Sequence, residues 1–228
     1  MKRVLLLAEG PSEETFVKRI LAPHLEQHNV YITPKILVTK KNMAGRAFKG
    51  GVTSYGKIKN DISNLLQDTN ATVTTLLDYY GLPDDFPGAD SSKKLPAQKR
   101  VSYLQDHFKQ DIGSQRLIPF LALHEFEAWI FCCSDTVSNH FNDASLKFSL
   151  DKIISSVMSP EEINNNPETH PSARLTKLVP RYKKTIDGPR ILEKIGLSEI
   201  RKQCSHFNSW LTALENLGND SELNVLHP

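Results

Sequence analysis

Four carboxylates in this chain stand at or just beyond the ends of apolar runs, and that placement is its first sign of chemistry. Glu9 follows Val4-Leu5-Leu6-Leu7-Ala8, and Asp78 follows Thr72-Val73-Thr74-Thr75-Leu76-Leu77. Glu125 and Glu127 follow Leu117-Ile118-Pro119-Phe120-Leu121-Ala122-Leu123-His124. Each run is apolar or β-branched and reads as a buried strand. A carboxylate at the C-terminal end of a parallel strand lies on the sheet edge where open α/β proteins place their chemistry. Glu125 and Glu127 are two apart, so an extended segment points both to one side. Acids gathered on one edge repel one another unless a cation lies between them. Oxygen-only ligands suit a hard ion, Mg²⁺ or Mn²⁺. A single strand-end acid is equally well read as a solvated turn residue; three coincident strand ends favour a shared site.

The elements that position these acids follow from the rest of the pattern. Gly10 allows a tight turn, Ser12 is placed as an N-cap, and Phe16, Val17, Ile20, Leu21 and Leu25 have helical spacing, which predicts a helix near Glu13–Leu25. A second strand is predicted at Tyr31–Thr39, a loop at Lys40–Gly56 and a helix near Lys57–Leu66. The third strand ends at Asp78, and the Pro/Gly/Asp-rich stretch Gly81–Pro96 reads as a mobile lid over the site. A helix over Pro96–Ile112 and a fourth strand over Leu117–Leu123 follow, and Glu125 to Cys133 is expected to turn into a helix. Asn139 to Pro171 is polar, and Ser172 to Leu217 looks helical. The alternation of strand and helix predicts an α/β fold with a mostly parallel four-stranded sheet and right-handed crossovers. Residues 1–135 would form the α/β core, and residues 136–228 a mainly helical extension packed on it.

Composition sets bounds. At 228 residues, 39% hydrophobic and 24% charged, the chain fits one soluble α/β unit with additions. Three cysteines with no Cys-x-x-Cys pair support neither a zinc site nor a disulfide framework. Met1-Lys2-Arg3 and the apolar run imitate a signal peptide, but Glu9 ends that run too early, and no stretch reaches the length of a membrane span. A cytoplasmic protein is expected.

The net charge of +2 hides segregation. Seven basic residues and no acid lie between Lys35 and Asn60, six Asp and no Lys or Arg between Asp61 and Asp90, and nine basic residues against three acids between Arg174 and Lys202. Either basic segment alone reads as an ordinary solvated face. Two of them flanking an acidic centre is the layout of a metal site acting on a polyanion.

Three other motifs carry less. Gly51-Val52-Thr53-Ser54-Tyr55-Gly56-Lys57-Ile58 nearly matches a phosphate loop, but Ile58 stands where the Mg²⁺-holding Ser or Thr belongs. A glycine-rich loop touching backbone phosphates is the better reading. His124-Glu125 lacks the second His of a zinc-protease helix, so His124 reads as a partly buried histidine. Phe207, Trp210, Leu211 and Leu214 have helical spacing and read as core, while His206 and Arg201 are candidates to face the site.

Taken in order, these segments resemble a known family. Leu7-Ala8-Glu9-Gly10-Pro11-Ser12-Glu13-Glu14, Asp78-Tyr79-Tyr80-Gly81-Leu82-Pro83, His124-Glu125-Phe126-Glu127-Ala128 and Cys204-Ser205-His206-Phe207-Asn208-Ser209-Trp210-Leu211 are similar to bacterial domain-of-unknown-function family 4276. That family has a Toprim-like core distantly similar to OLD-type nucleases, and the resemblance covers nearly the whole chain. It implies a Toprim-like fold in which Glu9 acts as general acid/base or metal ligand. It also implies an Asp-x-Asp metal pair, and here the second Asp is Tyr80. Glu125 or Glu127 could supply the missing carboxylate.

The expectation drawn from residues and resemblance together is a Mg²⁺- or Mn²⁺-dependent phosphodiesterase acting on DNA or RNA. Glu9 and Asp78 would be catalytic; Glu9, Asp78, Glu125 and Glu127 would hold metal. Arg174, Lys177 and Lys183 would grip the phosphate backbone, with Glu13, Tyr80, Arg201 and His206 also facing the substrate. The resemblance further implies a partner ATPase in a phage-defence setting. Two other readings stay open at this point: a degenerate Toprim-like subunit that binds or regulates such an ATPase, favoured by Tyr80, and an enzyme acting on a small phosphorylated molecule.

Overall fold

The computed structural model describes residues 1–37, 54–163 and 168–223, with side chains up to residue 219. Strand β1 (Lys2–Ala8) runs parallel to β2 (Val30–Ile36) on one side and to β3 (Ala71–Asp78) on the other. β4 (Leu117–Ile118) and β5 (Leu121–Ala122) both pair in parallel with β3, giving the order β2-β1-β3-β4 with β5 beside β3. Every pairing is parallel, so all C-terminal strand ends share one edge. Ala8 pairs with Leu76, and Asp78 with Ala122, which brings Glu9, Asp78 and the chain after Leu123 to that edge.

The single fourth strand expected over Leu117–Leu123 is two short pieces. Pro119 has no N–H to give the ladder. Side chains of the neighbouring elements fill in: Thr75 Oγ1 donates to Phe120 O (2.7 Å) and accepts from Phe120 N (2.8 Å), and Gln105 Oε1 accepts from Leu121 N (3.0 Å).

Both faces of the sheet are covered, as parallel strands require. Along β1, Val4, Leu6 and Ala8 join one core and Leu7 the other. The second core is closed by Ile58 and Ile62 of the helix Tyr55–Leu66 and by Val101, Leu104 and Phe108 of Ala97–Ile112. The first core holds Phe16, Phe126, Trp129, Phe207 and Trp210. Trp210, from the helix Ser205–Leu223, stacks on Phe120 at 4.3 Å and donates its indole N–H to Thr74 Oγ1 (2.9 Å). Leu150, Leu175, Ile191 and Ile200, from the four helices before it, enter the same core.

Several boundaries differ from the sequence reading. The first helix begins at Pro11, with Gly10 extended before it, and runs as Pro11–Phe16, a π turn Val17–Leu21 and Ala22–Glu26. Pro11 is pre-set for the first helical position and Ser12 is buried behind it, so Ser12 is not the cap. The polar stretch from Asn139 contains the helix Ser145–Ile154, whose buried side chains are Leu146 and Leu150. The expected lid, Gly81–Pro96, is fastened by Phe86, which is 3% exposed and packs on Tyr55 and Phe108 at 5.3 and 5.2 Å. Residues 38–53 fall outside the described residues, and with them most of the first basic segment and the first glycine of the phosphate-loop-like motif. Among the described residues, no helix is long and apolar enough to cross a membrane.

Candidate metal centre

Glu9 leaves β1 at the common edge, and its Oε2 accepts the Asp78 backbone N–H at 2.9 Å. This bond ties the ends of two neighbouring strands together. Gly81 permits the fit: a Cβ there would lie 3.2 Å from Glu9 Oε1. Glu13, one turn into the first helix, is 3% exposed and adds its charge to the same field.

Asp78, Glu125 and Glu127 each offer an oxygen within 4.8 Å of the others, and all three are buried. Asp78 Oδ1 accepts the Phe126 N–H at 2.8 Å. The two glutamates meet differently from the extended geometry expected. Glu125 is extended, but Glu127 sits in the first turn of the 3₁₀ helix Phe126–Cys132.

Their surroundings separate the two glutamates. Glu125 Oε2 accepts from Ser172 N (2.9 Å) and lies 3.0 Å from His170 Nδ1, while Oε1 accepts from Ser172 Oγ (3.1 Å). The first turn of the helix Pro171–Leu178 thus engages this carboxylate. Glu127 has 0% exposure; its Oε1 receives no hydrogen bond, and its Oε2 meets an ammonium. Among the described residues its one close cation is Lys184, with Nζ 3.1 Å from Glu127 Oε2 and 3.7 Å from Asp78 Oδ2. A buried carboxylate engaged by a single ammonium, beside two more carboxylate oxygens, suits a hard divalent cation.

Among the described residues, five acids, Glu9, Glu13, Asp78, Glu125 and Glu127, therefore face one ammonium. Burial pushes Glu9 and Asp78 above the ordinary carboxylate range, and neighbouring acids add to it. Burial raises Glu127 from 4.5 to about 7, against the pull of Lys184. Burial alone would lower the Lys184 amine, but Asp78, Glu127, Glu13 and Glu125 outweigh it and hold the amine well above its usual value. At Glu127 the native state then binds more protons than the unfolded chain between pH 4.5 and about 7. The stability that Glu127 contributes to the metal-free protein is expected to be fully present below that window and to fall as pH rises through it, while His124, lowered to about 4, contributes in the opposite sense. Melting temperatures of wild type and Glu127→Gln from about pH 4.5 to about pH 8 in a chelator check this, and a wild-type advantage that grows toward pH 8 would refute it.

The remaining expected site residues divide. Tyr80 is 41% exposed, stacks on His170 at 5.0 Å and, with Glu9, Asp78, Gly81, Leu82, Glu125 and Lys184, lines a cavity of about 410 Å³. Lys177 and Lys183 are exposed. Arg174 Nε donates to Thr169 O at 2.5 Å. Arg201 is placed in another group: its guanidinium donates to Asn208, Thr212 and Glu215, next to His24. His206 stacks on Phe120 at 4.9 Å with Nε2 3.0 Å from Leu121 O, a packing role, and burial lowers its pKa. His124 is 3% exposed with a positive φ of 68°, and burial lowers it to about 4.

Sequence reasoning missed Lys184, His170 and Ser172. A signal for Lys184 existed, since a lysine at the first position of the helix Lys184–Ile195 opposes the helix dipole and needs an acidic partner nearby.

The family model described as "Domain of unknown function (DUF4276)" matches residues 8–215. No curated protein gives a match. Among solved structures, the C-terminal region of the Burkholderia pseudomallei OLD protein is 16% identical, with 96% of this chain and 99% of that one covered and a TM-score of 0.47. The C-terminal region of the Xanthomonas campestris pv. campestris OLD protein is 12% identical over 97% and 98% of the two chains, with a TM-score of 0.45.

Proposed function

The chain belongs to the domain-of-unknown-function family DUF4276, and from the acid cluster at its sheet edge we propose that it is a Mg²⁺- or Mn²⁺-dependent phosphodiesterase acting on nucleic acid. The observation that carries this reading is Glu127, fully buried, with Oε1 unbonded and Oε2 engaged among the described residues by Lys184 alone, beside Asp78 and Glu125. Asp78 and Glu127 would hold the ion, with Glu125 kept in place by Ser172 and His170. A bound divalent cation would polarise the scissile phosphate and acidify a bound water.

The chain's own groups supply the rest. Glu9 lines the cavity with a carboxyl raised by burial, which makes it a better proton acceptor than an ordinary carboxylate. Lys184, in the same cavity, would meet a phosphoryl oxygen and offset its growing charge. Lys177 and Lys183, both exposed, would engage flanking phosphates. A partner ATPase, and a role in defence against phage, belong to the same reading.

The test is a titration with Mn²⁺ followed by melting temperature. A stabilisation that grows with Mn²⁺ concentration is expected, because an ion that binds only the folded state stabilises by mass action. Nucleic-acid affinity should fall steeply with salt, and Lys177→Ala with Lys183→Ala should flatten that slope by about one to two released counterions. No response to Mn²⁺ together with salt-indifferent binding would sink the proposal.

One observation favours a second reading. Lys184 already supplies a positive charge inside the cluster, and Tyr80 stands where a second Asp would complete a metal pair. A non-catalytic subunit of an ATPase would keep that lysine as a permanent counter-ion. It predicts a folded protein indifferent to Mn²⁺.

A further inference from the structure

The 3₁₀ turn Tyr79–Gly81 follows Asp78 directly, and it separates the acid cavity from a second one. That second cavity, about 310 Å³, is bounded by Tyr79, Tyr80, Leu82, Phe86, Lys93 and Arg100 among others, and shares Tyr80 and Leu82 with the acid cavity. Its volume lies at the lower end of the range for small-ligand sites. Its lining combines aromatic rings with two bases, Lys93 and Arg100, and two acids, Asp84 and Asp90.

Tyr80 has one neighbour fixed in parallel, His170 at 5.0 Å and 22°, and the ring remains 41% exposed. Arg100 lies 5.3 Å from the centre of the Tyr79 ring and hydrogen-bonds the Tyr79 side chain, while its Nε is buried without an acceptor. A buried guanidinium N–H with no partner is costly, and an incoming oxyanion would satisfy it. The other charges in the cavity are Asp84, Asp90 and Lys93, of which Lys93 and Asp90 pair at 2.8 Å.

We propose that this cavity is a subsite for one unstacked base and its adjoining phosphate in a single-stranded nucleic acid, with Tyr80 as the stacking surface and Arg100 as the phosphate contact. The proposal rests on the nucleic-acid reading above and names its substrate class. A base inside a duplex is stacked and paired on both sides and has no face to offer Tyr80. A single strand presents its bases freely, and aromatic stacking gains affinity with little dependence on sequence. Tyr80 and Asp78 are two residues apart, so the base held in this cavity would adjoin the phosphate that reaches the acids.

The experiment measures fluorescence anisotropy of a labelled oligonucleotide, single-stranded or annealed to its complement, with Ca²⁺ replacing Mg²⁺. Wild-type protein is expected to bind the single strand more tightly than the duplex. Tyr80→Ala should weaken single-strand binding about 5- to 150-fold, the loss of one stacked base. Tyr80→Phe should restore it, which excludes a general structural defect. Arg100→Gln should weaken binding and lower the salt slope by about 0.7, one phosphate contact on a single strand. Unchanged affinity in Tyr80→Ala and Arg100→Gln, or equal binding of duplex, would overturn the subsite while leaving a nucleic-acid enzyme standing. Failure of both probes to bind at low salt would overturn the subsite and the nucleic-acid reading together.

Discussion

Asp78→Asn and Glu9→Gln are each expected to abolish metal-dependent cleavage while the protein stays folded and, without metal, melts no earlier than wild type. The geometry explains why both outcomes belong together. Asn at 78 keeps an oxygen for the Phe126 N–H, and Gln at 9 keeps one for the Asp78 N–H. What disappears is one negative charge from a group in which, among the described residues, five acids face one lysine. Burial and mutual repulsion already hold these carboxyls above their ordinary range, so losing a charge relieves strain in the metal-free state. A cation bound through Asp78 would lose a charged ligand, and the stabilisation by Mn²⁺ should shrink with the activity. Loss of a group acting only in the transition state lowers kcat with little change in KM. The decisive measurement pairs cleavage rate with melting temperature, with and without Mn²⁺. Variants that melt well below wild type in the absence of metal would show the acids to be packing groups, and the enzyme reading would fail.

How far the sequence revealed this arrangement depends on the kind of interaction. Strand-end acids were legible because continuous apolar and β-branched runs mark buried strands locally, and parallel order follows from helical crossovers. Glu9 and Asp78 could therefore be placed on one edge. The relation between Glu125 and Glu127 was misread, because extended spacing was assumed where a 3₁₀ turn begins at Phe126. Nothing local distinguishes the two glutamates. Their difference comes from Ser172 and His170, more than forty positions along the chain, which satisfy Glu125 and leave Glu127 to Lys184. Lys184 was lost beside Lys183 for the same reason: charge counting sees two lysines, while only the fold puts one of them among the acids. Arg201 and His206 were drawn toward the site by their types, but Glu215 and the aromatic core hold them elsewhere. Pattern reports which face a residue is on; it does not report who else arrives there.

Lys184→Met should produce the largest loss of stability among single changes at this edge, and divalent metal should reverse it. The substitution keeps an unbranched chain at the head of its helix but removes the one ammonium that Asp78 and Glu127 share. Removing one partner of a fully buried pair costs about 3–5 kcal/mol. The Lys184 side chain is 42% exposed, so solvent screens part of that and about 2–4 kcal/mol is the better figure. For a chain of this length that lowers the melting temperature by roughly 5–15 °C. If the cluster is built for a cation, Mn²⁺ should bind the variant more tightly than wild type, because the competing charge is gone, and should recover most of the lost stability. Cleavage should remain low even in the rescued protein, since the metal replaces the counter-charge but not the lysine's contact with the phosphate. Lys184→Arg, which preserves the charge, should stay close to wild type in metal-free stability. The opposite result is equally informative. If Lys184→Met melts early and Mn²⁺ does nothing for it, the lysine is a permanent structural counter-ion. The acid cluster is then the foundation of a binding subunit rather than of an enzyme.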